Sequence, residues 1–295
     1  MQVNAIGSAS VGTPTLRAIA GRLAANTVRA GQSLQKLSSG LNLVTAADGP
    51  SDLAMSERLR GLFGREQAAS NNIENAISYS QTSDSYMQNV QDSLGRMQEL
   101  AVAANDGTKS SADRQALQAE FKQLQGGIAD ITSGNAPLAS FNGKPLLQGD
   151  SPTIAVGGDA GQTLTMTPVD LTTGSATVVG KDSGGNDVTW SSVLNTGAGG
   201  MNIATQGAAA QTMQGLSMAS DYVSQARATR GSEQERLANT LGGLRESTVN
   251  TLMTESRIRD VDVAKELVNL IKFQNLNKLG RGVMAANTGT ILDVG

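Results

Sequence analysis

Three carboxylates, those of Asp260, Asp262 and Glu266, lie close together near the end of the chain, and carboxylate oxygens are the ligands that hard divalent cations prefer. Their spacing does not match a calcium-binding loop, and the glycine that such a loop needs at its sharp turn is missing. Aspartates also stabilise the positively polarised N-terminus of a helix. We therefore predict that both aspartates favour a helix that begins near Val261, with a metal cluster as the alternative.

A glycine-rich stretch, GGDAG at residues 157–161, has the composition of a phosphate-binding loop. A P-loop also needs a Lys-Ser or Lys-Thr pair and a helix directly after the glycines, and this stretch has neither. Short β-like runs flank it in TIAVGGDAGQTLTMTPVD. The pattern predicts a β-hairpin with a long turn.

The composition removes most of the usual catalytic groups. The 295 residues include no Cys and no His, which excludes disulfides, thiolate nucleophiles, zinc sites built on Cys or His, and triads that use His as the base. A net charge of −3 favours neither nucleic acid nor an anionic membrane, and no apolar run is long enough to cross a bilayer. The first residues lack a basic segment followed by an apolar one, so we expect no cleaved Sec signal. No catalytic residue, cofactor or metal is predicted.

Most of this chain is predicted to be helical, because aromatic residues make up only 3% of it and thin helix seams can be filled by Ala, Leu, Ile, Val and Met. Heptad-like spacing predicts helices over residues 14–41 and 51–105, from Ser110 or Ser111 to about Ile131, from about Thr205 to Asp260, and from Val261 onward. In the first helix the predicted seam has a leucine series with small residues between them, namely Leu16, Ala20, Leu23, Thr27, Ala30, Leu34, Leu37 and Leu41.

The segment 174–200 is rich in Gly, Ser, Thr and Asn, which predicts a small surface element or a loose loop. Its deletion is expected to spare polymerisation, because loops of this kind tolerate changes in length. The segment contains the only tryptophan, Trp190, which is predicted to be the centre of a small local core, with a binding residue as the alternative. The two ends of the chain have apolar stripes but no cores of their own. We therefore predict a mainly α fold in which the N- and C-terminal segments pair as a discontinuous antiparallel coiled coil or helical bundle, with a small β-hairpin region and a short tip in the middle of the sequence.

Several sequence blocks, in this order along the chain, resemble bacterial flagellin. They are LQKLSSGLNLVTAADGPSDLAMSERLRG, QAASNNIENAISYSQT, LGRMQELAVAANDGT, FNGKPLL, VGGDAGQTL, SQARATRGSEQERL and SRIRDVDVAKE. No single block is specific, but the conserved order covers most of the chain except about 174–204. The resemblance implies an inner domain of residues 1–43 and 261–295, a helical spoke domain of 44–173 and 205–260 that contains the hairpin, and a short surface tip of 174–204.

The resemblance also implies a function and partners. The expected function is a structural, self-assembling subunit of the flagellar filament, a helical tube for motility. The expected partners are other copies of the chain, the type III export apparatus and a chaperone, and hook-associated and cap proteins, and the expected location is extracellular. The alternatives are a hook–filament junction protein with the same terminal helices and a secreted helical effector or adhesin; an enzyme is the weakest alternative. Residues expected in subunit packing are Leu16, Leu23, Leu34, Leu37, Arg257, Arg259, Asp260, Leu267 and Ile271. Residues at the positions that the vertebrate innate-immune flagellin receptor contacts are Arg96, Leu100 and Glu120.

Overall fold

A computed structural model describes residues 12–182, 184–197 and 199–292, and it describes side chains between residues 17 and 285. These ranges contain six helices: α1 Gly12–Ser39, α2 Pro50–Asn105, α3 Ser111–Thr132, α4 Trp190–Leu194, α5 Gln206–Arg259 and α6 Val263–Leu292. They also contain six strands: β1 Ser140–Phe141, β2 Lys144–Pro145, β3 Thr153–Ala155, β4 Thr163–Thr165, β5 Val178–Lys181 and β6 Asp187–Thr189. Successive strands pair in three antiparallel two-stranded sheets. The prediction of a mainly α fold with small hairpins in the middle is confirmed.

Local sequence signals account for most element boundaries. The side chain of Ser110 accepts a hydrogen bond from the Asp113 amide, and the Asp113 carboxylate accepts one from the Ser110 amide, which forms a capping box at the start of α3. The α1 helix ends at Gly40, whose φ of 72° is readily adopted only by glycine. Asn142 and Gly143 both have positive φ, as the two-residue turn between β1 and β2 requires.

The chain divides into two compact units. Unit 1 contains the residues up to Phe63 and those from Val249 onward, and unit 2 contains Gly64–Thr248. The units do not correspond one to one with the three-part plan from the sequence, which remains a proposal.

In unit 1, α1 and α6 pack against each other in antiparallel orientation. Leu41 and Asp260 form an antiparallel bridge between the two chain segments, where the Val261 amide donates to the Gly40 carbonyl at 3.0 Å. Farther along, Leu23 of α1 lies against Gly280 of α6. The predicted pairing of the N-terminal and C-terminal segments is therefore confirmed.

The core of unit 2 forms around α2, α3 and α5. In α2, the apolar stripe that follows the predicted heptad-like spacing is fully buried; its residues are Met87, Val90, Leu94, Met97 and Ala101. In α3, Phe121 and Ile128 are buried, and Leu117, Leu124 and Ile131 pack against the same core. In α5, Leu237 and Leu241 are buried in the same core, but Leu252, which continues the heptad-like spacing of that helix, is exposed. The stripe in α5 therefore ends near the boundary of unit 2.

Of the two forms predicted for the segment 174–200, the structure has the small element, made of β5, β6 and α4, and not the loose loop. The Trp190 indole is completely buried, and its Nε1–H donates to the Leu171 carbonyl at 2.7 Å. Val193 and Leu194 join the same core as α2 and α3, and the amide of buried Gln125 donates to the Val193 carbonyl at 2.7 Å. Composition suggested a loop because the polar residues outnumber the few large apolar ones, yet three of those few, Trp190, Val193 and Leu194, are buried.

Candidate assembly surface

The three carboxylates that suggested a metal site serve as local hydrogen-bond acceptors. The Asp262 side chain accepts from the Lys265 amide at 3.1 Å and caps α6, which confirms the capping prediction for this residue. Asp260 instead accepts a hydrogen bond from the Ser256 hydroxyl, and Glu266 accepts one from the Asn269 amide at 3.1 Å. Within the described ranges, no group of three or more His, Cys, Asp or Glu residues could hold a metal ion.

The stretch at 157–161 is the turn of the β3–β4 hairpin, as predicted. The Val156 amide donates to the Gln162 carbonyl at 2.9 Å and closes the turn, and Gly161 has φ of 96°. The Gly158 carbonyl accepts a hydrogen bond from the Arg65 side chain at 2.6 Å. This carbonyl contact makes the turn a point of attachment to α2. Among the helices that the structure describes, none is long and apolar enough to span a membrane.

Small and polar residues form much of the seam between α1 and α6. On the α1 side the less exposed residues recur at intervals of four and three, namely Ile19, Leu23, Asn26, Ala30, Ser33 and Leu37. On the α6 side they are Glu266, Leu270, Phe273, Asn277, Gly280 and Met284. This spacing is the heptad pattern of a coiled coil. Half of these twelve residues are small or polar, and only Ser33 and Leu270 are buried, so the seam provides limited hydrophobic stabilisation within one chain.

A polar pair, Ser33 and Glu266, lies within this seam. Ser33 is buried, and its hydrogen bond to the Glu266 carboxylate is the largest cause of a pKa for Glu266 below the ordinary value. A carboxylate whose pKa falls on folding stabilises the folded form above its unfolded pKa of about 4.3, and that contribution is lost as the pH falls through the lowered value.

The pair therefore predicts an acid-sensitive helix pair. We expect assembled protein to lose stability as the pH falls below about 4.3, and we expect Glu266→Gln to weaken this dependence because the amide stays neutral. The measurement is the fraction of sedimenting polymer against pH for wild type and variant. The same substitution at Glu246, an exposed residue of α5, serves as the control. A wild-type pH profile for Glu266→Gln would contradict the assignment.

The structure separates the leucines predicted for the first-helix seam. Leu23 and Leu37 do lie on the side that faces α6, whereas Leu34 is exposed, and so are Ala20 and Thr27. The side chain of Leu16 lies outside the described residues. The predicted seam was therefore wrong in phase at Leu34, because Asn26 and Ser33, which are not part of the predicted seam, occupy the seam instead.

Leu34 belongs to a large set of exposed apolar side chains in unit 1. In the described part of the chain, sixteen large apolar side chains are exposed, and thirteen of them lie in unit 1. Those on α1 and α6 form what we call the terminal apolar set: Val28, Leu34, Val263, Leu267, Val268, Ile271, Leu276, Leu279 and Val283. Leu267 and Ile271, predicted for subunit packing, are among them. Exposed apolar side chains at this density mark a surface that another protein covers.

The basic residues of the helix pair add a second property. Arg17, Arg22 and Arg29 of α1 are exposed, and α1 contains no acidic residue. The α6 helix carries four basic residues and one acidic residue. Since the whole chain has a net charge of −3, the helix pair is a basic region of an otherwise acidic protein.

Arg259, predicted for subunit packing together with Arg257 and Asp260, makes its contacts within unit 1. Its guanidinium donates to Glu57 at 2.8 Å, and the Arg259 carbonyl accepts from the Asn42 amide at 2.7 Å. Arg257 and Asp260 are exposed, whereas Arg259 is half-buried. Arg259 and Asp260 instead hold together the segments that lead into α1 and α6.

The proposed receptor residues differ from each other in exposure. Arg96 and Glu120 lie at the surface and form an ion pair of 2.8 Å between α2 and α3. The hydrogen bonds that Arg96 donates to Glu120 and Glu99 raise the pKa of Arg96 above its ordinary value. Leu100 is only 3% exposed and belongs to the core. Arg96 and Glu120 are therefore accessible at the surface, whereas Leu100 is not.

Sequence reasoning missed one buried ion pair completely. Arg230 is 1% exposed and pairs with Glu233 at 2.9 Å, while the other Glu233 oxygen accepts from the Thr167 amide at 2.7 Å. The pair thus attaches the segment after β4 to α5. The i, i+3 spacing of an arginine and a glutamate was the only signal in the sequence, and exposed helices have the same spacing.

Comparison with known proteins agrees with this architecture. A family model of the bacterial flagellin N-terminal helical region matches residues 17–151, and one of the bacterial flagellin C-terminal helical region matches residues 213–290. Flagellin FlaB2 of Treponema pallidum is 33% identical over 272 residues, which cover 88% of this chain and 89% of that protein. A flagellin of Bacillus subtilis is 32% identical over 286 residues, which cover 90% and 91%.

A solved structure supports the fold alone. A flagellar hook-associated protein from Vibrio parahaemolyticus superimposes with a TM-score of 0.56 at 14% identity, covering 72% of this chain and all of that one. The matches to both terminal family models establish the family, together with the relatives that are about one third identical over nearly the whole chain. This chain belongs to the bacterial flagellins.

Proposed function

We propose that this chain is the repeating structural subunit of a flagellar filament and polymerises into a helical tube for motility. The observation that carries the proposal is the terminal apolar set on α1 and α6. Burying apolar surface stabilises a complex by about 25 cal/mol per Å². Contacts that join different patches on successive copies give an open helical polymer when the rotation does not close a ring.

The relatives favour a filament subunit over a hook–filament junction protein. The proteins that share about a third of their sequence with this chain are flagellins, whereas the likeness to the hook-associated protein concerns the fold. A secreted effector or adhesin would act as a soluble molecule and would leave the terminal apolar set uncovered. The proposal assigns no catalysis to the chain.

Polymerisation of the purified protein tests this function. Concentrated protein, with and without a precipitant, is expected to form long filaments of uniform diameter in negative-stain electron microscopy. A soluble monomer at every concentration would refute the filament subunit and favour the effector or adhesin. A junction protein, which is present in few copies, should not form long polymers.

The proposed arrangement keeps residues 1–43 and 261–295 as the inner domain, 44–173 and 205–260 as the spoke, and 174–204 as the outer tip. The proposed partners are the export apparatus, a chaperone, hook-associated and cap proteins, and the vertebrate receptor at Arg96 and Glu120. In cells that lack a working flagellar type III apparatus, we expect the protein to disappear from the medium and from the cell surface. Unchanged export in those cells would contradict this route.

A further inference from the structure

A groove of about 420 Å³ lies between α2 and β3 in unit 2. Asn72, Asn75 and Tyr79 line it from α2, and residues 153–155 line it from β3. Asn72 and Asn75 are exposed amides, and no charged residue lines the groove. The Tyr79 hydroxyl is buried and has no hydrogen-bond partner within the described residues. The groove thus combines an uncharged lining with free polar groups.

The edge of β3 beside this groove is unpaired. In the β3–β4 hairpin the Val156 amide donates to the Gln162 carbonyl, and the Met166 amide donates to the Pro152 carbonyl. Hydrogen-bonded and non-bonded pairs alternate along an antiparallel ladder, so the pair midway between these two, Ile154 and Leu164, is also a hydrogen-bonded one. Thr153 and Ala155 fall at the non-bonded positions, where the N–H and C=O groups are directed away from β4. Both residues are exposed. An edge of this kind is a template for another strand.

We propose that this groove receives an extended, uncharged strand from a second copy of the chain, which adds to the free edge of β3. This contact rests on the proposed self-assembly and names one of its interfaces. Main-chain hydrogen bonds to Thr153 and Ala155 give the affinity, as in other strand additions, and the α2 amides lie beside one face of the incoming strand. Because the lining carries no charge, a charged strand would lose hydration without gaining a partner.

Strand β5 of the second copy is the segment that fits. Its Val178 is 48% exposed and is one of three exposed large apolar side chains in the described residues of unit 2, the others being Val102 and Leu138. Residues 178–180 are uncharged, which matches the groove, and the last residue of β5, Lys181, is paired with Asp187 of β6 at 2.6 Å. A contact from β5 of one copy to β3 of the next joins two different patches, so it extends into an open helical polymer when the rotation does not close a ring.

A proline at the free edge tests the contact. Ala155→Pro removes an N–H that β4 does not use and places a ring at the groove, and proline is tolerated at such edge positions. We expect the critical concentration for polymerisation to rise about tenfold, because each contact loses one or two net hydrogen bonds. The matched control is Thr165→Pro at the outer edge of β4, which should change the critical concentration less than about twofold. Equal effects of the two variants would overturn the proposal.

Hydrogen exchange tests the same contact without a substitution, and so remains decisive if Ala155→Pro fails to fold. The amides of Thr153 and Ala155 should exchange rapidly in the monomer and become protected in the polymer. Rapid exchange in both states would overturn the proposal, even though polymerisation itself had succeeded. Failure of the wild-type protein to polymerise at all would instead refute the proposed function.

The absence of native cysteines allows a direct test of the partner strand. A mixture of Thr153→Cys and Val178→Cys subunits should form intermolecular disulfides on polymerisation, whereas Thr153→Cys mixed with Leu138→Cys should not. Protection of the β3 amides without the Thr153–Val178 crosslink would overturn β5 as the occupant. A synthetic peptide of residues 176–181 that binds the monomer, and is displaced on polymerisation, would support it.

Discussion

Removal of residues 262–295 is expected to abolish polymerisation while unit 2 stays folded. The deletion takes away α6, which carries Val263, Leu267, Val268, Ile271, Leu276, Leu279 and Val283 of the terminal apolar set. It also exposes the seam face of α1, and most of the stability of a helix in a protein comes from packing of such a face. Ordering the backbone costs about 1–2 kcal/mol per residue, so the small and polar seam within one subunit cannot support both helices without neighbours.

The same reasoning predicts that α1 and α6 become ordered when the protein assembles. Hydrogen exchange should be fast over residues 16–37 in the free monomer and slow in the polymer. Strong protection of this region in the monomer, or normal polymerisation of the truncated chain, would show that the helix pair is stable by itself and that assembly depends on other contacts.

A single substitution provides a matched comparison. Leu279 of α6 and Leu138 of unit 2 have similar exposure, at 67% and 62%. Leu279→Ser is expected to weaken subunit association by about 2 kcal/mol if neighbours bury the side chain, and Leu138→Ser should have little effect. The critical concentrations of the two variants decide between a specific interface and a general loss of surface hydrophobicity.

The second large effect is expected at Trp190. We predict that Trp190→Ala destabilises unit 2 by about 3–5 kcal/mol, because it leaves a cavity among buried residues. Such a loss is a large fraction of the roughly 5–15 kcal/mol that stabilises a typical domain. It also removes the hydrogen bond to the Leu171 carbonyl. Deletion of 174–200 should be at least as damaging, since it removes Val193 and Leu194 as well.

Denaturant unfolding of the monomer, followed by circular dichroism, provides the measurement. Trp190→Phe should keep most of the apolar contact and lose about 1 kcal/mol for the hydrogen bond. Val178→Ala, an exposed change in the same segment, should stay within about 0.5 kcal/mol of wild type. Wild-type stability in the deletion variant would mean that 174–200 is dispensable, as its composition had suggested.

The sequence by itself determined the helices, the turns and the family. The α2 stripe from Met87 to Ala101, the cap at Ser110 and the hairpin around 157–161 all depend on groups a few residues apart, so their spacing is sufficient to predict them. The family was predictable because its blocks occur in order along most of the chain.

Only the tertiary structure decided which residues fill the seams. Ser33 and Asn26 are not part of the seam that the sequence predicts, and they lie in the helix seam because α6 offers Glu266 and other small or polar residues opposite α1. Trp190 is buried because Leu171 and Tyr222, which are distant in sequence, contact it. Burial of a polar or isolated residue depends on partners that local periodicity does not specify, and the cost of leaving such groups unpaired selects the arrangement.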